Sequence, residues 1–262
     1  MKILITGKTG YLSKALVKEF SKKYEITCIG REDLQLTDRD TVNNWFKNKY
    51  FDVVLHTAIT GGNRLIPEVD SILLDNLKIF FNLLNQKDKY KKFINFGSIA
   101  ECNLYESLYG LSKNIIAKYI KDEDQFYNLR ICGLFDQNDL NTRFIKNNIK
   151  NYIQKKDIII HNNKYMDFIY MKDLINIINH YINNEDLPKT IDCVYSNKYS
   201  LVDIANLINN LNSYKCKIKL ENLDKTADYI GNGDSLKKLN LNLIGLQESI
   251  KITYNLLLDE YS

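Results

Sequence analysis

Apolar positions along the chain fall into short continuous runs separated by stretches at helical spacing. Residues 2–6 form a β-type run, followed by a glycine-containing turn and an amphipathic stretch over 12–22 in which Leu12, Ala15, Leu16, Glu19 and Phe20 lie near helical spacing. The sequence of strand, turn and helix then recurs. Residues 25–30 read as a strand, 38–48 as a helix, and 51–56 as a buried strand closed by Thr57 and Ala58. A helix over 73–85, a strand over 92–97, a helix over 105–121 and a strand over 127–132 follow. Alternation of this kind predicts a parallel sheet with helices on both faces.

Beyond about Gly133 the rhythm loosens, with a helix near 142–155, a strand at 158–160, a helix near 172–182 and a strand near 190–195. Ser200 is placed to cap a further helix, with Asp203 in its first turn. The predicted fold is therefore α/β: a Rossmann-like doubly wound parallel sheet over 1–135, with a smaller C-terminal α/β lobe over 136–262. Residues 156–182 and part of 188–200 are expected to return to the first domain. No Pro- or Gly-rich linker separates the two parts.

Composition narrows the class without naming a chemistry. The 262 residues are 45% hydrophobic and 26% charged, which suits a globular protein with a real core. Five scattered cysteines, Cys28, Cys102, Cys132, Cys193 and Cys216, contain no C-x-x-C pair, so neither a disulfide framework nor a metal knuckle is indicated. The net charge of +4 comes from 36 basic and 32 acidic residues spread along the chain, which argues against nucleic acid as a partner. No run approaches the ~18 apolar residues of a membrane helix, and the chain starts directly into its first strand, so a cytoplasmic protein is expected.

Candidate chemistry lies where strands hand over to helices. Thr6-Gly7-Lys8-Thr9-Gly10-Tyr11-Leu12-Ser13 joins the first strand to the first helix, where glycines admit a pyrophosphate and a helix N-terminus offers unpaired N–H groups. Ser13 replaces the third glycine of such turns, a position that governs helix–strand packing. The alternative is a tight turn without a ligand. Arg31 follows the second strand, where an NAD-binding chain usually carries an acid; a guanidinium suits the 2′-phosphate of NADP(H), although Glu32 and Asp33 come next. Tyr109 and Lys113 stand at i and i+4, so both project from one helical face, and a nearby cation lowers a phenol's pKa toward the working range. Ser98 ends the Phe93–Gly97 strand at the carboxyl edge of the sheet, where open α/β folds put their ligands.

Taken together, Gly7 and Gly10, the strand 52–58, Ser98, and Tyr109 with Lys113 resemble the extended short-chain dehydrogenase/reductase family over about residues 1–180. The segment 30–38, Gly61-Gly62 after His56-Thr57-Ala58, and Met166-Asp167-Phe168-Ile169-Tyr170 are similar to its nucleotide-sugar 4-ketoreductases, the dTDP-dehydrorhamnose reductase, GDP-fucose synthase and UDP-rhamnose synthase type. The resemblance implies Ser98, Tyr109 and Lys113 as catalytic residues. It implies Gly7, Thr9, Gly10, Tyr11, Leu12, Arg31, Ala58, Thr60, Phe96, Tyr109 and Lys113 around NADP(H), and no metal. A nucleotide-diphosphate sugar would meet Ser98, with Arg143 and Lys146, on one face of a helix in the smaller lobe, as candidates to pair its phosphates. A homodimer through the helices at Leu73 and Tyr105 is also implied, and Asn76 falls at the family's helix asparagine, in a packing role.

Departures from the pattern shape the expected activity. Ala100 and Arg143 stand where GDP-fucose synthases carry the cysteine and histidine that epimerise the sugar; alanine moves no proton and arginine stays protonated. Cys102 lies two residues out of register for that role. The segment between Ser98 and Tyr109 is short, Met166 replaces an arginine, and no proline follows the Arg130 strand. The expectation is NADPH-dependent reduction of a 4-keto-6-deoxy sugar linked to a nucleotide. A bifunctional 3,5-epimerase/4-reductase, an NAD-dependent nucleotide-sugar 4-epimerase and a non-catalytic cofactor-binding protein are the competing readings.

Overall fold

The first apolar run becomes β1 (Lys2–Thr6), in which Ile3, Leu4 and Ile5 are fully buried, as a strand covered on both faces requires. There follow α1 (Tyr11–Phe20), β2 (Glu25–Ile29), α2 (Arg39–Phe46), β3 (Phe51–His56), α3 (Ser71–Leu84), β4 (Tyr90–Ser98), α4 (Leu108–Lys121) and β5 (Phe126–Ile131). The chain continues through β6 (Gly133–Phe135), α5 (Phe144–Ile153), β7 (Ile158–Asn162), β8 (Phe168–Tyr170), α6 (Met171–Asn183) and β9 (Thr190–Cys193). It closes with α7 (Leu201–Asn209), β10 (Ile218–Asn222), α8 (Asp234–Lys238) and α9 (Leu246–Asp259). The computed structural model of the protein describes residues 1–62, 66–102, 107–224 and 226–260. Tyr105, the expected first residue of the fourth helix, lies outside the described residues.

Two units divide the chain: Met1–Arg130 with Asn179–Ile191, and Ile131–Ile178 with Asp192–Ser262. In unit 1 a six-stranded parallel sheet runs β2-β1-β3-β4-β5-β9. The order of strands reverses between β1 and β3, and such a switch point opens a crevice at the strands' carboxyl ends. Phe46, Phe80, Phe93 and Phe126 fill the core beside the sheet, with the rings of Phe93 and Phe126 stacked at 4.6 Å. Helix α2 begins where Asp38 accepts the Thr41 N–H at 2.9 Å, satisfying a donor that the first turn leaves open.

Unit 2 is built from two parallel strand pairs, β7 with β10 and β6 with β8, packed around Phe135, Ile149, Tyr152, Ile204 and Tyr254. Ser200 caps α7 in a reciprocal box with Asp203. Because 158–162 pair with Ile218–Asn222 inside this unit, the segment that rejoins unit 1 is Asn179–Ile191, shorter than the expected 156–182 and 188–200. No described helix is long and apolar enough to cross a membrane, and all five cysteines are free.

Candidate active site

The glycine-rich turn sits at the switch point of unit 1. Gly7 adopts φ +84°, and a Cβ there would lie 2.9 Å from both Ala58 N and Thr57 Oγ1, so only glycine lets the β1 turn lie against the end of β3. Gly10 N–H donates to the Gly7 carbonyl at 2.8 Å, and Gly10 is the N-cap of α1 with no side chain over its first turn. Tyr11 and Leu12 therefore begin a helix whose N-terminal dipole is uncovered by its own cap. Ser13 is fully buried, its hydroxyl 3.5 Å from Cys28 Sγ on β2, which is the close helix–strand packing that a larger residue would prevent. Thr6 ties the two strand ends together. Its hydroxyl accepts the Ala58 N–H at 3.1 Å and lies 3.0 Å from His56 Nδ1. Burial first, then the Lys113 charge, pulls His56 down to about 3, so the ring is neutral.

At the end of β2, Arg31 Nη2 donates to Thr60 Oγ1 at 3.3 Å. The two exposed acids beside it are engaged with Gly30 and Lys8: Asp33 Oδ2 accepts the Gly30 N–H at 2.9 Å and Lys8 Nζ at 3.1 Å, and Glu32 lies 3.3 Å from Lys8 Nζ. The Gly30 N–H and then Lys8 hold the Asp33 carboxyl below its ordinary range. Thr60 is held in turn by the buried Asn76, which accepts the Thr60 N–H at 2.8 Å, donates to its carbonyl at 2.9 Å and reaches Ser112 Oγ at 3.1 Å. Ser112 donates to the Tyr109 carbonyl at 2.7 Å, so α3, the β3 loop and α4 share one network.

The remaining expected residues of unit 1 gather at the β4–α4 corner. Ser98 is the last residue of β4, buried, with its Oγ accepting the Ala100 N–H at 3.2 Å. Helix α4 starts with Ser107 accepting the Gly110 N–H at 2.9 Å and with the Glu68 carboxylate accepting the Leu108 N–H at 2.7 Å, so the first turn that carries Tyr109 is capped twice. Gly110 allows the helix to approach the turn after β4, since a Cβ there would lie 2.8 Å from the Ala100 carbonyl oxygen. Gly62, at φ +77°, lies against the Tyr109 ring, where a Cβ would come within 3.0 Å of Cζ. Lys113 is 4% exposed; its ammonium donates to the Phe96 carbonyl and lies 5.7 Å from the centre of the Tyr109 ring. Burial lowers Lys113 to about 8, with Glu101 acting against the fall. Phe96 thus enters through its main chain, its ring being buried.

In unit 2, Arg143 lies just outside α5 as its exposed N-cap residue, and Lys146 Nζ donates to the Asp139 carbonyl at 2.7 Å. Arg143 has the extended backbone of an N-cap, ψ 142°, and Lys146 lies three residues on in the first turn, with both side chains acting on the Asp139 carboxyl. Cys102 is exposed, with Arg130 Nη1 donating to its sulfur at 3.5 Å. Sequence reasoning passed over Glu68, Glu101 and Asn128, and gave Gly62 no contact with Tyr109. A contact across some forty residues, such as Glu68 on Leu108, leaves no mark in local spacing. Among the described residues no group of three or more His, Cys, Asp or Glu is placed to hold a metal ion.

A profile of the NAD dependent epimerase/dehydratase family matches residues 3–193. No curated protein matches the chain. Among solved structures, a GDP-L-fucose synthetase from Naegleria fowleri is similar at 20% identity and TM-score 0.79, over 99% of this chain and 93% of that one. A GDP-mannoheptose C4 reductase from Campylobacter jejuni with NADP bound is 18% identical at TM-score 0.78, over 98% of each chain. A UDP-glucose 4-epimerase from Thermotoga maritima is 15% identical at TM-score 0.81, over 100% of each chain.

Proposed function

Since the chain belongs to the NAD dependent epimerase/dehydratase family, we propose that it is an NADPH-dependent reductase of the 4-keto group of a nucleotide-linked 4-keto-6-deoxy sugar. The carrying observation is the corner itself: Tyr109 and a buried Lys113 one helical turn apart, beside Ser98 at the carboxyl end of β4. The chain's own cradle suits a dinucleotide, because Gly7 and Gly10 leave backbone where side chains would stand. Gly7, Thr9, Gly10, Tyr11 and Leu12 would hold its phosphates, Arg31 and Thr60 its adenosine end, and Ala58 its middle. Asp33 is turned onto Gly30 and Lys8, which favours NADPH over NAD because the acid is not directed to a ribose diol.

When bound, the dinucleotide supplies the hydride. Tyr109 donates its phenolic proton to the sugar oxygen as that oxygen gains charge, and Ser98 hydrogen-bonds the same atom. Lys113, desolvated and bound to the Phe96 carbonyl, lowers the cost of the phenolate left on Tyr109 and would hold the nicotinamide ribose. The reading carries with it a cytoplasmic homodimer through α3 and α4, whose Leu74 and Tyr119 are exposed. The test follows NADPH oxidation at 340 nm (an assay wavelength) with GDP- and dTDP-linked 4-keto-6-deoxy sugars. Turnover with either, reduced about 10²–10⁴-fold in Tyr109→Phe, is the expected result; a Tyr109→Phe protein at the parent rate overturns the assignment.

A further inference from the structure

Unit 1 buries a carboxyl beside the reductive corner that the mechanism above does not use. Glu101 lies in the turn Ile99–Cys102 after β4 and is 4% exposed. Its Oε2 accepts the Ser98 N–H at 3.4 Å, its Oε1 accepts Asn128 Nδ2 at 3.1 Å, and Arg130 Nε lies 3.6 Å from Oε1. Asn95 Nδ2 donates to Asn128 Oδ1 at 2.7 Å, which turns the Asn128 amide so that its NH₂ faces the carboxyl. Asn114 Nδ2 fixes the Glu101 backbone carbonyl at 2.8 Å. Gly97 leaves the space: a Cβ there would lie 2.5 Å from Asn128 Oδ1 and 2.8 Å from Glu101 Oε2. A carboxyl braced by a strand glycine, two asparagines, an arginine and a peptide N–H is built into the fold, since an unsupported buried charge would be strongly disfavoured.

Lys113 is the buried cation on the same stretch of β4: its ammonium donates to the Phe96 carbonyl, two residues before the Ser98 N–H that Glu101 accepts, and its neighbour on α4, Asn114, holds the Glu101 backbone carbonyl. The titratable groups around Lys113 are Glu101 from the turn after β4, Tyr109 from its own helix and His56 from β3, with the Phe96 carbonyl as its hydrogen-bond acceptor. Neutral His56 contributes no charge to offset the cost of burying an ammonium. Around Glu101 stand Lys113 and Arg130, with Asn128 and the Ser98 N–H as neutral donors. Burial raises Glu101 to about 7, and Arg130, Asn128, the Ser98 N–H and Lys113 all pull it back toward the ionised form.

We propose that Glu101 is a positioning residue of the reductive corner, whose carboxylate keeps the buried Lys113 side chain an ammonium and fixes the Ser98 peptide, so that proton donation by Tyr109 extends into mildly alkaline solution. This inference rests on the reductase reading of the same corner.

The test is Glu101→Gln, which keeps shape and removes charge. Lys113 then loses its proton at lower pH, and the alkaline limb of kcat/KM for keto-sugar reduction moves toward acid by about one pH unit. The alkaline limb of dinucleotide affinity, followed by nicotinamide fluorescence with whichever of NADPH or NADH binds, moves in the same direction. Limbs that coincide with the parent's, whatever the rate or melting temperature, mean a merely structural carboxyl and overturn the proposal. If Glu101→Gln does not fold, Arg130→Met tests the same charge from its exposed side. Without the guanidinium the carboxyl keeps its proton to higher pH, so the limb again moves toward acid; an unmoved limb overturns the proposal. Should the parent reduce no keto sugar, the reductase reading falls, and the pH profile of dinucleotide affinity alone decides on Glu101.

Discussion

Lys8 and Lys113 are both lysines near the carboxyl rim of one parallel sheet, yet water reaches one and not the other. Lys8 sits on the glycine-rich turn with nearly half of its side chain exposed, and its partners Glu32 and Asp33 are open to solvent as well. Lys113 sits on the buried side of α4 at 4% exposure, and Glu101, in the turn after β4, is equally buried. The partners of Lys8 raise its pKa, whereas burial lowers that of Lys113. Charges of the first kind rearrange around an arriving phosphate at little cost. Those of the second kind are held in place by the fold before any ligand arrives. One end of the crevice is thus suited to recognition and the other to proton chemistry.

The most direct way to break this contrast is Lys113→Met, which keeps the stem and removes the buried charge. A fall in kcat of about 10²–10⁴-fold in NADPH-dependent reduction is expected. A loss below tenfold would show that the buried ammonium does not matter more than its exposed counterpart. Gly62→Ala comes next. Its φ of +77° and a Cβ within 3.0 Å of the Tyr109 ring force either the loop or the phenol to move. A displaced phenol lowers kcat by about 10–100-fold with the affinity for NADPH kept, since misplacement of about 1 Å can cost that much. Steady-state kinetics with a separate dinucleotide titration distinguishes the two effects.

A third test uses pH on the fold itself. His56 is buried and neutral, titrating at about 3 in the folded chain and near 6.5 in the unfolded one. Between those values only the unfolded chain takes up the proton. The stability present above 6.5 is therefore lost as pH falls toward 3, by about 1.4 kcal/mol for each pH unit in the middle of that window. His56→Asn, with an oxygen to accept from Thr6, flattens the dependence of the urea midpoint on pH between 6 and 4 (chosen assay points). An unchanged slope would assign the acid sensitivity to other groups.

How much of this could be read from the chain differs between the same two regions. The glycine-rich turn and the helix that bears Tyr109 and Lys113 were legible because their spacing is local: glycines at a strand end, and i, i+4 on one face. Ser200 and Asp203 were legible as a cap for the same reason. The buried brace was not. Glu101 draws its meaning from Asn128 and Arg130 on β5, 27 and more residues away, and nothing in Ile99-Ala100-Glu101-Cys102 marks the acid as buried. Unit 2 was hidden by brevity. Its strands β6 and β8 have three residues each, too few to display a period, and β7 finds its partner 60 residues later in β10, which the pattern could not pair. Arg143 shows a third cause. Helical spacing continues through it, but the chain enters the helix one residue later, so Arg143 caps α5 rather than lying within it.

The smallest expected effect is at Lys8, and it sharpens the comparison most finely. Lys8 lies 3.3 Å from Glu32 and 3.1 Å from Asp33, so it neutralises two acids that would otherwise repel a 2′-phosphate. Lys8→Gln leaves those carboxylates uncompensated, and the dissociation constant for NADPH rises by roughly two- to fivefold at low salt, as suits a solvated pair. NADH, without that phosphate, shows no change. Because the charges are exposed, the difference fades when the Debye length shrinks from about 10 Å at 0.1 M salt to about 3 Å at 1 M, whereas the effect of Lys113→Met persists. Equal salt sensitivity of the two variants would mean that solvent reaches both ends alike, and the division between a recognising end and a reacting end would fail.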